Sequence, residues 1–258
     1  MPPTPAFLEH AIGHAGVNGG NPRGALWFCG IEFGHRADKE ASLDAVVHRP
    51  VGAGGFPCWT PAYLENIATW NGGRDLADTW PFMQKMARVA MGYDGRAVAT
   101  LPETKAYVRE SLLREDKLTF QLNLYPVPFN SSGDGEFTER HRELTGFPNK
   151  TLYRAWCMEH RFPRLREVFG QYRPPLLVCV GTSFAAEYRL AFLGEARAFE
   201  RPAEVISLPS GKRVDLYPAN GGASVVAVAP FLGQGGLMAS ADLHSLGASL
   251  ATRARPTS

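Results

Sequence analysis

Glu32 stands between two glycines in the run Gly30-Ile31-Glu32-Phe33-Gly34-His35. Flanking glycines let a backbone turn sharply and pass close to a ligand. A carboxylate held there can orient a water molecule or stabilise a developing positive charge. An ordinary strand-to-loop turn with a solvated acid fits the same spacing. Asn123 is the second polar residue in an unusual place, interrupting the apolar run Leu118-Thr119-Phe120-Gln121-Leu122-Asn123-Leu124-Tyr125 just before Pro126 and Pro128. A buried amide left unpaired costs about 1–3 kcal/mol. Its partners are either backbone groups or a ligand edge that offers one donor and one acceptor, as a nucleobase does.

Three further stretches could line a site. Arg154, His160, Arg161, Arg164 and Arg166 form the densest basic patch, which reads as a solvated helical face or as an edge facing phosphate. The Gly- and Pro-rich loop from His48 to Trp59 carries Phe56 and Trp59, either as a pocket wall or tucked into the core. Pro230-Phe231-Leu232-Gly233-Gln234-Gly235-Gly236-Leu237-Met238 mixes glycine freedom with large apolar side chains. The four cysteines, Cys29, Cys58, Cys157 and Cys179, are far apart, with no CxxC pair and no histidine at zinc-finger spacing, which argues against a metal or iron–sulfur site.

The elements that must hold these residues are legible from periodicity. The run Ala25-Leu26-Trp27-Phe28-Cys29 is apolar without a helical period, the pattern of a strand buried on both faces of a parallel sheet. Leu118 to Tyr125, Pro175 to Gly181 and Ala223 to Ala229 repeat that pattern. Amphipathic helices are expected at about 6–14, 61–70, 80–92, 103–116, beyond Lys150 with a break at Pro163, 182–192 and 241–251. Gly16 to Arg23 reads as a loop, residues 204–217 as a hairpin, and the stretch from Phe129 to Lys150 as a polar loop. Strand, glycine turn and capped helix at 175–192 make half of a βαβ unit, so the sheet is largely parallel. In such sheets ligands bind at the carboxyl ends of the strands, where Glu32 and Asn123 fall.

With 258 residues, 45% of them hydrophobic, the chain can bury a full core as one α/β domain spanning 1–258 (core about 25–251) with a polar C-terminal tail. A formal net charge of +2 announces no global basic field. Neither a leader nor an apolar run long enough to span a bilayer is evident, so the expectation is a soluble cytoplasmic protein without a membrane partner.

Taken in order and spacing, Gly30-Ile31-Glu32-Phe33-Gly34, Phe120-Gln121-Leu122-Asn123, Val178-Cys179-Val180-Gly181 with its helix, and Ala229-Pro230-Phe231-Leu232-Gly233 resemble the uracil-DNA glycosylase superfamily over most of residues 25–250. The resemblance implies a three-layer αβα sandwich around a central, mostly parallel four-stranded sheet. It also implies a monomeric enzyme of base excision repair, without cofactor or metal, that hydrolyses the N-glycosidic bond of uracil or another damaged base in single- or double-stranded DNA. Glu32 falls where the family positions the attacking water, with Phe33 in place of the usual proline. Gly30, Ile31, Phe33, Gly34, Ala229 and Pro230 would line the base pocket, Phe56 (or next Trp59) would stack on the base and Asn123 would read its edge. Phe231, Leu232, Gly233 and Gln234 would meet DNA, with Leu232, Leu237 or Met238 as the wedge. The chain departs from the family at its last motif, where Ala229 and Phe231 replace histidine and serine. A missing preorganised donor of that kind typically costs on the order of a hundred- to a thousandfold in rate. His35 is the candidate substitute, whereas His244 on the last helix reads as structural or exposed. Two other readings remain: a family member that binds nucleic acid or a nucleotide without cleaving it, and a small-molecule α/β hydrolase or transferase using the same crevice.

Overall fold

Strand runs that are apolar at every position need cover on both faces, and the sheet supplies it. A computed structural model of the chain describes residues 3–12, 17–32, 75–129 and 137–254. Its strands are β1 (Val17–Gly20), β2 (Leu26–Gly30), β3 (Thr119–Asn123), β4 (Leu176–Val180), β5 (Glu204–Ser207), β6 (Arg213–Ala219) and β7 (Ser224–Ala229). They form one seven-stranded sheet in the order β1-β3-β2-β4-β7-β6-β5. The middle strands β3, β2, β4 and β7 run parallel, while β1, β6 and β5 pair antiparallel with their neighbours.

The architecture is therefore α/β with a mixed sheet, and the expected four strands are corrected to seven. The edges account for the difference. The residues that become β1, Val-Asn-Gly-Gly, carry no strand signal and read as a loop; β5 and β6 were legible as a hairpin but extend the sheet rather than standing apart.

Helices are α1 (Pro5–Ile12), α2 (Leu76–Thr79), α3 (Pro81–Tyr93), α4 (Leu101–Glu110), α5 (Glu139–Thr145), α6 (Lys150–Trp156), α7 (Phe162–Tyr172), α8 (Ala185–Leu193) and α9 (Ser240–Ala254). The short α5 replaces part of the loop expected between Phe129 and Lys150. Alternate residues of each central strand enter two separate cores. Leu26, Phe28, Leu176, Val178, Ala227 and Ala229 meet α3 and α9 on one face. Trp27, Cys29, Phe120, Leu122, Leu177 and Cys179 meet α1, α6, α7 and α8 on the other. On the first face α3 and α9 approach very closely: a Cβ on Gly247 would lie 2.0 Å from the Val89 carbonyl oxygen, and one on Gly92 would lie 2.4 Å from that of His244. His244 is structural, its Nε2 lying 2.7 Å from the Arg96 carbonyl oxygen.

Between α6 and α7 the chain makes a π-helical turn over Cys157–Arg161, with the Phe162 N–H bonded to the Cys157 carbonyl. Pro163 follows in the first turn of α7, where its lack of an N–H is tolerated. The turn aims Arg161 into the protein, where it is 1% exposed. Arg161 donates to the carbonyls of Leu124 (2.8 Å), Asn123 (3.1 Å) and Ala11. Burial lowers the pKa of its guanidinium. Among the described residues no helix is long and apolar enough to cross a membrane.

Candidate functional site

Because β3, β2, β4 and β7 are parallel, their carboxyl ends share one edge of the sheet. Gly30 is in register with Asn123, and beyond them the Leu124 and Tyr125 N–H groups bond the carbonyls of Gly30 (3.0 Å) and Ile31 (2.8 Å). The Gly181 N–H bonds the Ala229 carbonyl at 2.9 Å, tying β4 to β7 at the same level. Gly30 serves close approach: a Cβ there would lie 2.3 Å from the Asn123 Oδ1, so any larger residue would displace the amide. Asn123 is 2% exposed, held from behind by Arg161 on its own carbonyl.

Glu32 follows two residues after Gly30, its side chain 8% exposed. The Lys150 Nζ lies 3.0 Å from its Oε1, and the Lys150 side chain is fully buried. The Arg154 Nη2 lies 3.8 Å from the other oxygen, Oε2. Lys150 and Arg154 are four apart on α6 and so share one helical face. Asn149 caps that helix, accepting from the Leu152 N–H at 2.9 Å, which places Lys150 at its first position.

Aromatic rings line the cations. The Lys150 Nζ sits 3.7 Å from the Phe129 ring centroid, and Phe129 stacks on His141 at 4.7 Å. The Arg154 guanidinium lies 5.2 Å from the Tyr125 ring and 5.5 Å from that of Phe184. Ring faces attract cations most strongly where water is excluded. The Tyr125 hydroxyl is buried without a hydrogen-bond partner among the described residues, and its pKa is raised by burial and then by the nearby Glu187 carboxylate. Tyr153 is likewise raised by burial; its hydroxyl accepts from the Val127 N–H at 3.1 Å.

The structure thus brings together Gly30, Ile31, Glu32 and Asn123. Phe33, Gly34, His35, Phe56 and Trp59 lie outside the described residues. Ala229 is fully buried and turned into the α3/α9 core, so its side chain lines no crevice. In the following loop Leu232 is 1% exposed and Leu237 fully buried, which corrects both as DNA wedges: their side chains belong to the core. Gly233 is buried too, Pro230 half-buried, and Gln234 exposed. Phe231 (50% exposed) and Met238 (56%) project instead, Phe231 stacking on Phe82 at 6.1 Å. The loop is held by Leu237 N–H to the Phe231 carbonyl (2.6 Å) and by Lys212 donating to the Gly235 and Gly236 carbonyls.

Sequence reasoning missed Lys150 and Tyr125 as site residues. The i, i+4 relation of Lys150 to Arg154 behind an Asn cap was the available signal. The basic patch itself divides: Arg154 faces Glu32, Arg161 braces β3, and Arg164 pairs with Glu167 on the surface at 2.7 Å. Cys29 and Cys179 are buried neighbours in register on β2 and β4, and with Cys157 they are free thiols. Among the described residues no group of His, Cys, Asp and Glu could hold a metal ion. No family model matches the chain, and no curated protein matches it.

Proposed function

We propose that the chain hydrolyses the N-glycosidic bond of uracil or another damaged base in DNA, in the manner of the uracil-DNA glycosylases it resembles. The observation that carries this reading is the pairing of Gly30 with Asn123 at the strands' carboxyl ends, with the carboxylate of Glu32 two residues beyond. An amide suited to a base edge and an acid suited to a water or a sugar cation then stand on adjacent strands. The parallel order β3-β2-β4-β7 sets the carboxyl ends of β2 and β3 side by side, as the reading requires.

In this mechanism the target nucleotide is flipped from the duplex at a cost of a few kcal/mol. Asn123 reads the base, and the Glu32 carboxylate orients water and offsets positive charge that develops on the sugar. Phe231, Gln234 and Met238 meet the DNA. The partner is DNA and the protein acts as a monomer in the cytoplasm.

The test is incubation of the full chain with labelled single- and double-stranded oligonucleotides carrying uracil, hypoxanthine or xanthine, followed by alkaline cleavage of abasic sites. Cleavage that is lost in Glu32→Gln and Asn123→Ala is the expected result; cleavage unaffected by both overturns the reading. Ala229 at the position of the family's histidine favours a second reading, a nucleic-acid or nucleotide binder without cleavage. Salt-sensitive retention of the same oligonucleotides without base release would select it.

A further inference from the structure

We propose that Lys150 is the positioning residue of Glu32: its buried ammonium, 3.0 Å from Oε1, fixes the carboxylate's orientation and keeps it an anion at the strand end. The inference rests on the function proposed above and names a residue that the family resemblance does not supply.

The geometry is specific. A glutamate at the end of a strand has free rotation about its side-chain bonds, and a water oriented by a wandering carboxylate is not preorganised. Here one oxygen is held by Lys150 and the other is approached by Arg154 at 3.8 Å. Lys150 cannot wander in turn. Its side chain is fully buried, its backbone begins a capped helix, and its Nζ rests on Phe129, itself stacked against His141. An anchored cation beside a buried acid favours the charged form of that acid. Glu32 therefore works as a fixed charge and acceptor rather than as a base that must gain and lose protons.

The other described ionisable groups around this cluster are Arg154 on the same helix, His141 behind Phe129, Tyr125 beyond β3, Tyr153, Cys157 and Arg161 on the α6 side, and Glu187 on α8. Tyr125, Tyr153 and Cys157 are held neutral by burial, their pKa values raised above the usual range. Glu187 is the further carboxylate among these described groups, and at Tyr125 it opposes Arg154.

The experiment compares full-length wild type, Lys150→Met and Lys150→Arg on the uracil oligonucleotide. Lys150→Met, of similar length and uncharged, is expected to lower kcat on the order of tenfold to a hundredfold with KM within about twofold, and to move the acid limb of the pH–rate profile upward. Lys150→Arg should recover most of kcat. An unchanged kcat and acid limb in Lys150→Met overturns the proposal. Should Lys150→Met fail to fold, Arg154→Met is expected to move the acid limb in the same direction by less, and no movement there counts against the proposal. If wild type releases no base from any substrate, the glycosylase reading fails by itself. The carboxyl resonance of Glu32, assigned with Glu32→Gln in carbon-13-labelled protein, then decides the matter without activity. Its titration should rise to higher pH in Lys150→Met, and a midpoint equal to wild type overturns the assignment of Lys150.

Discussion

The two ends of the sheet's carboxyl edge are built from opposite materials. Where β2 and β3 finish, a carboxylate and a lysine are almost wholly withdrawn from water beside a partly buried arginine, the two cations lined by aromatic rings. Where β7 finishes, two strands away, the chain leaves through a glycine-rich loop with two leucines in the core and a phenylalanine and a methionine outside. Burying charge costs several kcal/mol per ion before pairing returns any of it, so an interior ion pair is weak evidence of stabilisation. Burying leucine is favourable in itself. The difference teaches that the β7 loop can be explained by folding alone, whereas the β2–β3 end is better explained by a task that needs a fixed charge.

Substitutions can break or sharpen that contrast. The largest effect is expected from Glu32→Ala, which removes the carboxylate 3.0 Å from the buried ammonium of Lys150. Removing one partner of a buried pair costs about 3–5 kcal/mol, measurable by guanidinium denaturation; a loss below about 1 kcal/mol would mean the charged end is far better hydrated than its burial indicates. Next comes Leu232→Ala at the opposite end, where a truncated core leucine typically costs about 2–5 kcal/mol. A wild-type midpoint would show the β7 loop to be loosely seated and would restore Leu232 as a surface contact.

A smaller effect separates the two faces by pH. Burial pushes the Cys157 thiol, below the charged cluster, up to about 12 from its ordinary 9.0. The folded state therefore retains a proton that the unfolded chain releases above pH 9.0, so the unfolded state binds fewer protons and stability falls as pH rises from there towards about 12. The slope approaches 1.4 kcal/mol per pH unit for one such group. Denaturation at pH 8 and pH 10.5 should show that loss in wild type and a reduced one in Cys157→Ala; equal losses would remove Cys157 as the cause. The smallest effect on stability, within about 0.5 kcal/mol, is expected for Phe231→Ala, since the ring is half exposed. The same variant should weaken oligonucleotide retention several-fold, and unaltered retention would leave the exposed part of the loop without a role in DNA contact.

Much of the frame could be read from the chain. Three of the four central strands, β2, β4 and β7, are apolar at nearly every position because both faces are covered, whereas β3 is buried throughout yet alternates Thr119, Gln121 and Asn123 with Phe120 and Leu122. The helices at 81–93 and 240–254 followed from their periodicity, and the hairpin of β5 and β6 from Pro209-Ser210-Gly211. β1 was not legible because backbone pairing to β3, rather than side-chain pattern, makes it a strand. Glu32 and Asn123 were legible as polar residues where apolar ones belong. Lys150 was not, because one lysine after an asparagine looks like any surface helix start; only the fold puts it against an acid 118 residues earlier. The basic patch shows the same limit, since its residues look alike in sequence and the π turn alone sends Arg161 inward.

That separation of 118 residues also sets an order of events. Closing a long loop has to precede any reward from the contact that closes it, so distant pairs tend to form late in folding. β2 is synthesised well before α6, and Glu32 must wait for Lys150 through the whole making of β3. A contact absent from the transition state shows its loss in the unfolding rate and leaves the folding rate nearly alone. Lys150→Met should thus fold at close to the wild-type speed and unfold faster: the charged end of the sheet would be assembled last and opened first.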